Sequence, residues 1–242
     1  MILLLDSGNS RLKWALADSD GRLREHGVHE GGSLPAVLER DDIKAVRLAS
    51  VREADYTARL ERAVRARGWP VTRLRTPVGQ EGLVNAYPEP DRLGVDRWLA
   101  MLAAWRRERA GFVVVDVGTA VTIDLVADDG HHLGGAILAG EALSLEALVG
   151  RASGIRPRPG DGGPGFPAAD TGAAVAAGVR LAVCGGVERA LRLARQADVA
   201  GPLYLTGGGA EPVCEALSDE RPRLVPDLVL EGMLEEAPRC FG

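Results

Sequence analysis

Twice in this chain an apolar run ends in an aspartate followed by a glycine turn, a pairing suited to phosphate and its metal. Asp6 closes Ile2-Leu3-Leu4-Leu5 and leads into Ser7-Gly8-Asn9-Ser10; Asp116 closes Phe112-Val113-Val114-Val115 and leads into Val117-Gly118-Thr119-Ala120. Glycine at such a bend lets the backbone come close to a ligand, and successive amide N–H groups around it can point at an anion. The carboxylate repels phosphate itself but can hold the Mg²⁺, or its water shell, that accompanies a nucleoside triphosphate. A single Asp-x-Gly is common hairpin punctuation. Here two copies lie 110 positions apart, and each is followed twelve residues on by another aspartate (Asp18, Asp128) and then by a glycine (Gly21, Gly130). That repetition reads as a duplicated nucleotide clamp.

Other residues extend the same chemistry. Lys13 and Lys44 are the only lysines in a chain whose other basic side chains are arginine. The compact ammonium of Lys13, seven residues after Asp6, suits a terminal phosphate on the returning strand of a hairpin, and a solvated strand-face lysine is the plain alternative. No G-x-x-x-x-G-K-[ST] and no G-x-G-x-x-G after the first strand occurs, so phosphates would be held by the hairpins. Leu203-Tyr204-Leu205-Thr206 runs into Gly207-Gly208-Gly209 and a helix, where bare backbone can lie against a base or ribose and the helix start favours anions. A structural strand-to-helix turn explains those glycines equally well.

The elements that must position these residues alternate along the chain. After the first hairpin the pattern predicts a strand from Ala45 to Val51, a helix from Ala54 to Arg67 stopped by Gly68, and a strand from Val71 to Arg75. Thr76 to Leu93 is rich in Pro and Gly without a period. It precedes a helix from about Asp96 to Arg109 with Trp98, Leu99, Leu102 and Trp105 as its buried stripe. A boundary near Gly111 separates two lobes, 1–110 and 111–242. In the second lobe follow a helix from Ala142 to Val149, a loop from Gly154 to Pro167 with the composition of a lid, a long helix from Thr171 to Arg195, and a strand from Leu203 to Leu205.

Composition narrows the class. With 242 residues, 46% apolar side chains and a net charge of −5, the chain can bury a sizeable core. It lacks the clustered Lys and Arg of a nucleic-acid surface. Met1 leads straight into a short strand, with no charged n-region and no run of about eighteen apolar residues. The expectation is a cytoplasmic protein with no membrane partner. Cys184, Cys214 and Cys240 are widely spaced and odd in number, which predicts reduced thiols serving as core filler.

Asp6-Ser7-Gly8-Asn9-Ser10-x-x-Lys13, Gly94-Val95-Asp96-Arg97-Trp98, Asp116-Val117-Gly118-Thr119-Ala120, Gly134-Gly135-Ala136-Ile137, Asp170-Thr171 and Thr206-Gly207-Gly208-Gly209 occur in a distinctive order and spacing. In this the chain resembles the type III pantothenate kinases over nearly its whole length. Each motif alone is weak. The Gly-x-Asp-Arg element and the opening Asp-x-Gly-Asn with its later Lys separate that family from other kinases of the actin-like ATPase fold. The resemblance implies an α/β, duplicated, ribonuclease H-like architecture of two related lobes, with mixed sheets flanked by helices, ATP between the lobes, and a homodimer.

It further implies phosphorylation of pantothenate to 4'-phosphopantothenate, the first step of coenzyme A biosynthesis. The proton acceptor would be Asp96. ATP would meet Asp6, Ser7, Gly8, Asn9, Ser10, Arg11, Leu12, Lys13, Thr119, Gly207, Gly208 and Gly209, with Mg²⁺ carried by ATP at Asp6. Pantothenate would meet Tyr87, Gly94, Val95, Asp96, Arg97 and Thr171, and Asp116 would hold a monovalent cation, K⁺ or NH₄⁺. Without the resemblance, Asp96 and Thr171 read as helix caps, Arg97 as a surface helix residue and Tyr87 as a half-buried aromatic.

Three residues depart from the family pattern: Ser10 where Thr is commoner, Val95 where Ala is usual, and Ala139 in place of a Pro. None removes a group that the chemistry needs. Two other readings stand beside this one: a kinase of the same fold acting on another small hydroxyl or carboxylate acceptor, and a non-catalytic regulator, since some family members were first regarded as accessory factors for transcription.

Overall fold

A computed structural model describes residues 1–156 and 162–234. The described chain forms two compact units, Met1–Arg107 with residues 227–234, and Glu108–Pro226.

In the first unit, strands β1 (Ile2–Ser7), β2 (Arg11–Ala17), β3 (Leu23–Glu30), β4 (Ala45–Ser50) and β5 (Val71–Arg73) form one sheet in the order β3-β2-β1-β4-β5. The first three are antiparallel neighbours, and β4 and β5 run parallel to β1. Alternation divides the sheet. Leu3, Leu5, Leu12, Leu16, Val46 and Leu48 face helix α1 (Ala54–Ala66), which returns Tyr56, Leu60 and Val64 into the same core. Gly68, at φ +76°, stops α1 and donates its N–H to the Arg65 carbonyl (2.9 Å).

The Pro- and Gly-rich stretch that follows holds a small hairpin, β6 (Gly79–Gln80) and β7 (Leu83–Val84), before helix α2 (Val95–Glu108). Trp98, Leu99, Leu102 and Trp105 are all buried, as the helical stripe predicts.

The second unit repeats the plan. Strands β8 (Phe112–Val117), β9 (Ala120–Val126) and β10 (His132–Ala139) form an antiparallel meander followed by helices α3 (Glu141–Arg151) and α4 (Thr171–Gln196). Then come β11 (Leu203–Thr206), α5 (Ala210–Ala216) and β12 (Arg223–Leu224). Sheet order is β10-β9-β8-β11-β12, with β11 parallel to β8 and β12 parallel to β11, so the duplication seen in the residues is a duplication of topology. Val113, Val115, Val117, Val121 and Ile123 pack with Val183, Val187 and Leu191 of α4 to form its core.

The repeat is less symmetric in detail. Asp6 stands opposite Lys13, seven residues on, whereas Asp116 stands opposite Thr122, six residues on, so the second turn is one residue shorter. The aspartates twelve residues further on serve the fold in different ways. Asp18 accepts the N–H groups of Asp20 and Arg22 (both 2.9 Å), and the Arg22 N–H holds its carboxyl below the usual range. Asp128 accepts the N–H of Gly111 (2.7 Å).

Helix α6 (Leu228–Leu234) lies with the first unit, although the sequence carries the second lobe to residue 242. Its apolar side chains explain this: Leu228, Val229, Leu230 and Met233 are buried, and the helix packs on β1 and β2. Gly232 lets it cross α2 closely, since a Cβ there would overlap the Leu99 carbonyl oxygen. Arg47 of β4 donates to the carbonyls of Met233 (2.6 Å) and Leu234 (2.8 Å), tying the helix to the sheet. Among the described residues no helix is long and apolar enough to cross a membrane. Cys184 is buried in the second core and Cys214 lies half-buried against it; Cys240 and residues 157–161 of the expected lid fall outside the described residues.

Candidate active site

The antiparallel register of β1 and β2 puts Asp6 directly across from Lys13, and directly paired residues share a face of the sheet. The lysine therefore returns beside the aspartate at the strand tip. Between them, Gly8 is half-buried and Asn9, Ser10 and Arg11 are exposed, which leaves the turn open to a ligand. Arg11 also pairs with Glu30 (2.9 Å). Ser7 and Leu12 face the other way. Both are fully buried on the α1 side, so their side chains belong to the core and only their backbone is available at the turn. The Ser7 carbonyl is taken by the Val51 N–H (3.1 Å), which ties the turn to the end of β4.

That tie leads to Asp96. The Val51 side chain lies 3.7 Å from where a Cβ on Gly94 would stand, and the same position is 2.5 Å from Asp96 Oδ1. Gly94 thus permits the carboxylate to fold back over the chain, with Val51, the residue after β4, as its neighbour on that side. The sequence reads Asp96 as the cap of α2, but the Gly94 carbonyl accepts the first helical bond, from Trp98 N–H (3.1 Å). Asp96 sits two positions after Gly94, as the second residue of the helix, where its Oδ1 accepts the Arg97 N–H (2.8 Å) and the helix end favours its charge.

Arg97 is buried rather than on the surface, only 7% exposed. Burying a guanidinium requires partners. Tyr87 is one of them: Arg97 Nη1 donates to its phenol oxygen (3.3 Å), and the guanidinium carbon lies 5.9 Å from the ring centre, within cation–π range. Val95 is buried, so its side chain fills core.

In the second unit, the tips of β8 and β11 meet. Thr206 pairs with Asp116, and Gly207, at φ +94°, brings bare backbone against the Asp116 carboxylate, where a Cβ would overlap Oδ1. Gly209 N–H donates to the Val117 carbonyl (2.9 Å), fixing the glycine turn to the same tip. Across the hairpin, Gly140 N–H donates to the Thr119 carbonyl (2.9 Å) and leaves the Thr119 side chain exposed. Asp116, Gly207 and Gly209 therefore meet at one strand tip, and Thr119 lies on the turn that follows Asp116.

Thr171 is exposed at the start of α4, but it is not the cap. Asp170 is, accepting Ala173 N–H (2.7 Å) through Oδ1 and Gly162 N–H (3.3 Å) through Oδ2, bonds that hold its carboxyl below the usual range. A buried pair that no sequence pattern announces, His132 Nε2 with Asp124 Oδ1 (2.9 Å), joins β9 to β10. Asn85 anchors the segment that carries Tyr87. Its signal was its place two residues before an aromatic in a Pro-rich stretch, where Asn commonly bonds its own backbone.

The family model described as type III pantothenate kinase matches residues 2–193. The type III pantothenate kinase of Thiobacillus denitrificans is 37% identical over 243 residues, covering 99% of this chain and 97% of that protein. Two solved structures match at the level of fold. One is a Campylobacter jejuni protein described as a Baf family transcriptional activator (23% identity, TM-score 0.58, 96% of this chain and 94% of that one). The other is the ethanolamine utilization protein EutJ of Carboxydothermus hydrogenoformans (13% identity, TM-score 0.55, 96% and 88%). The two repeated mixed sheets have the actin-like ATPase fold, and the chain belongs to the type III pantothenate kinases, a family of ATP-using phosphotransferases.

Proposed function

We propose that this chain transfers the γ-phosphoryl group of ATP to pantothenate, forming 4'-phosphopantothenate at the start of coenzyme A synthesis. The observation that supports the proposal is a chain of contacts in the first unit: Val51, whose N–H takes the Ser7 carbonyl (3.1 Å) one residue after Asp6, has its side chain 3.7 Å from where a Cβ on Gly94 would stand, two residues before Asp96, and the buried Arg97 that follows pairs with Tyr87. Lys13 and the backbone of Gly8 to Ser10 bind phosphate oxygens. Arg97 takes the acceptor's carboxylate, with Tyr87 and Thr171 contributing hydroxyls. The acceptor hydroxyl oxygen attacks the γ-phosphorus, the bond from that phosphorus to the ADP oxygen breaks, and the hydroxyl proton passes to Asp96. Because phosphoryl transfer proceeds through a loose transition state, Asp96 needs to be well placed more than strongly basic. Gly207 to Gly209 and Thr119 contribute the nucleotide contacts of the second unit.

Two cations belong to this reading. Asp6 offers the hard oxygen donor that Mg²⁺ prefers, and Mg²⁺ when bound with ATP neutralises phosphate charge. Asp116, with backbone pressed against its carboxylate at Gly207, would hold K⁺ or NH₄⁺. A homodimer is the third part. It is supported by α3, which buries none of its residues while exposing Leu143, Leu145, Leu148 and Val149, and by the exposed Ile137 on the neighbouring β10. A sedimentation mass of two chains is expected, and a mass of one would remove it.

ATP consumption measured with and without pantothenate, across sodium, potassium and ammonium salts, tests the function. ADP release should depend on pantothenate and be faster in potassium or ammonium than in sodium, and Asp116→Ala should abolish that salt response. Equal rates in all three salts would count against the cation. ADP release that depends on a different acceptor from a panel of small alcohols and hydroxy acids would replace pantothenate, and no release with any acceptor would favour a non-catalytic role.

A further inference from the structure

We infer that Asn85 is a positioning residue that fixes Tyr87, and through it the Arg97 guanidinium, in the arrangement that receives the acceptor; this rests on the assignment of those two residues proposed above. Tyr87 sits in a stretch with little regular structure to hold it. Between Pro77 and Leu93 there are only the two-residue strands β6 and β7 and a short 3₁₀ turn at Pro90–Arg92. Pro77, Pro88 and Pro90 have no N–H to give a ladder.

Asn85 supplies the missing bonds. Its backbone N–H donates to the Val78 carbonyl (2.9 Å), and its Nδ2 donates to the carbonyls of Pro77 and Pro90 (both 3.3 Å). Its Oδ1 accepts the N–H of Tyr87 (2.9 Å). Both side-chain donors and the side-chain acceptor are thus engaged, reaching the incoming strand, the outgoing turn and Tyr87 itself.

The geometry continues to the site in two directions. Tyr87, held two residues on by this Asx turn, accepts from Arg97 Nη1 (3.3 Å). On the other side, the turn at Pro90 leads to Leu93, whose carbonyl accepts from the buried Thr76 hydroxyl (2.7 Å) immediately before Gly94 and Asp96. One amide therefore sets the phenol relative to the start of α2. No other common side chain of this size offers two donors and an acceptor in that fork. Asp would keep the bond to Tyr87 but place a second oxygen against two carbonyls, and Ala would lose all three side-chain bonds.

The test pairs Asn85→Ala and Asn85→Asp with two measurements on the full-length protein: steady-state kinetics, and amide hydrogen exchange of peptides spanning 77–93 without ligand. Loss of these bonds should raise KM for pantothenate by about ten-fold or more in both variants, since ~1.4 kcal/mol corresponds to a factor of ten. KM for ATP should stay within about two-fold, with faster exchange confined to 77–93. A purely structural Asn85 would instead lower protection throughout the first unit and shift both KM values together, which would overturn the inference, as would faster exchange with unchanged KM for pantothenate, or no change in either. If the wild-type protein turns over no pantothenate, the functional reading fails, and the exchange rates alone decide whether Asn85 holds Tyr87.

Discussion

Asp96→Asn should lower kcat by about 10²–10⁴, the range in which a positioned acid or base contributes, while KM for ATP moves by no more than about two-fold. The substitution isolates charge from shape. Asn keeps an Oδ1 that can accept the Arg97 N–H, so the first turn of α2 stays formed, and it fits beside Gly94 where the carboxylate now folds back. What it lacks is a site for the acceptor's proton at neutral pH. Because Gly94 rather than Asp96 provides the carbonyl for the first helical bond, the variant should melt close to the wild type, so a lost rate cannot be attributed to a frayed helix. Steady-state kinetics with thermal melting decide the matter. If the variant kept more than a tenth of the wild-type kcat, Asp96 would be reduced to a helix-end charge, and proton removal would have to be assigned elsewhere.

The parts of this site that were legible in the sequence are those where one residue type does an unmistakable job. Asp-x-Gly after an apolar run announced both strand tips, and the seven-residue interval correctly put Lys13 on the returning strand. The sheet edges were illegible. β3 reads Leu-Arg-Glu-His-Gly-Val-His-Glu and is solvated along most of its length, and β10 opens on His-Leu-Gly-Gly, so neither shows the alternation of a half-buried strand. Hence each hairpin proved to be a three-stranded meander.

Caps failed for a related reason. At Asp170-Thr171 two good capping residues are adjacent, and at Gly94-Val95-Asp96 a glycine competes with an acid; composition cannot say which residue's carbonyl begins the helix. Arg97 reads as a surface residue because its partner Tyr87 lies ten positions earlier, across a stretch without a period. The assignment of α6 to the first unit depends on Gly232 meeting Leu99 far back in the chain, which no local pattern encodes.

Gly207→Ala should be the most damaging single-methyl change in the second unit. Two penalties coincide there. The backbone is at φ +94°, outside the ordinary range of L-residues, and the new Cβ would overlap Asp116 Oδ1 while standing 2.5 Å from the Val117 carbonyl oxygen. The oxygen of Val117 cannot retreat, because it accepts the Gly209 N–H (2.9 Å), and the central strand β8 that carries it is bonded on both sides. Backbone strain and overpacking each cost about 1–3 kcal/mol, so their sum lies at roughly 2–6 kcal/mol. If the turn moves rather than the unit unfolding, the loss falls on nucleotide binding, and KM for ATP should rise by about 30-fold or more, at ~1.4 kcal/mol per factor of ten.

Gly178→Ala is the control. It lies exposed within α4, has no neighbour within 4 Å of the added Cβ, and should be neutral or stabilise by a few tenths to about 1 kcal/mol. A second test separates the two penalties at Gly207. If collision with the carboxylate dominates, Asp116→Ala in the same chain should restore part of the melting temperature lost in Gly207→Ala without restoring activity, because the space is freed but the proposed cation ligand is gone. If φ strain dominates, the double variant should melt no higher than the single one. A Gly207→Ala protein with wild-type stability and wild-type KM for ATP would mean that the glycine turn does not need its close approach to Asp116.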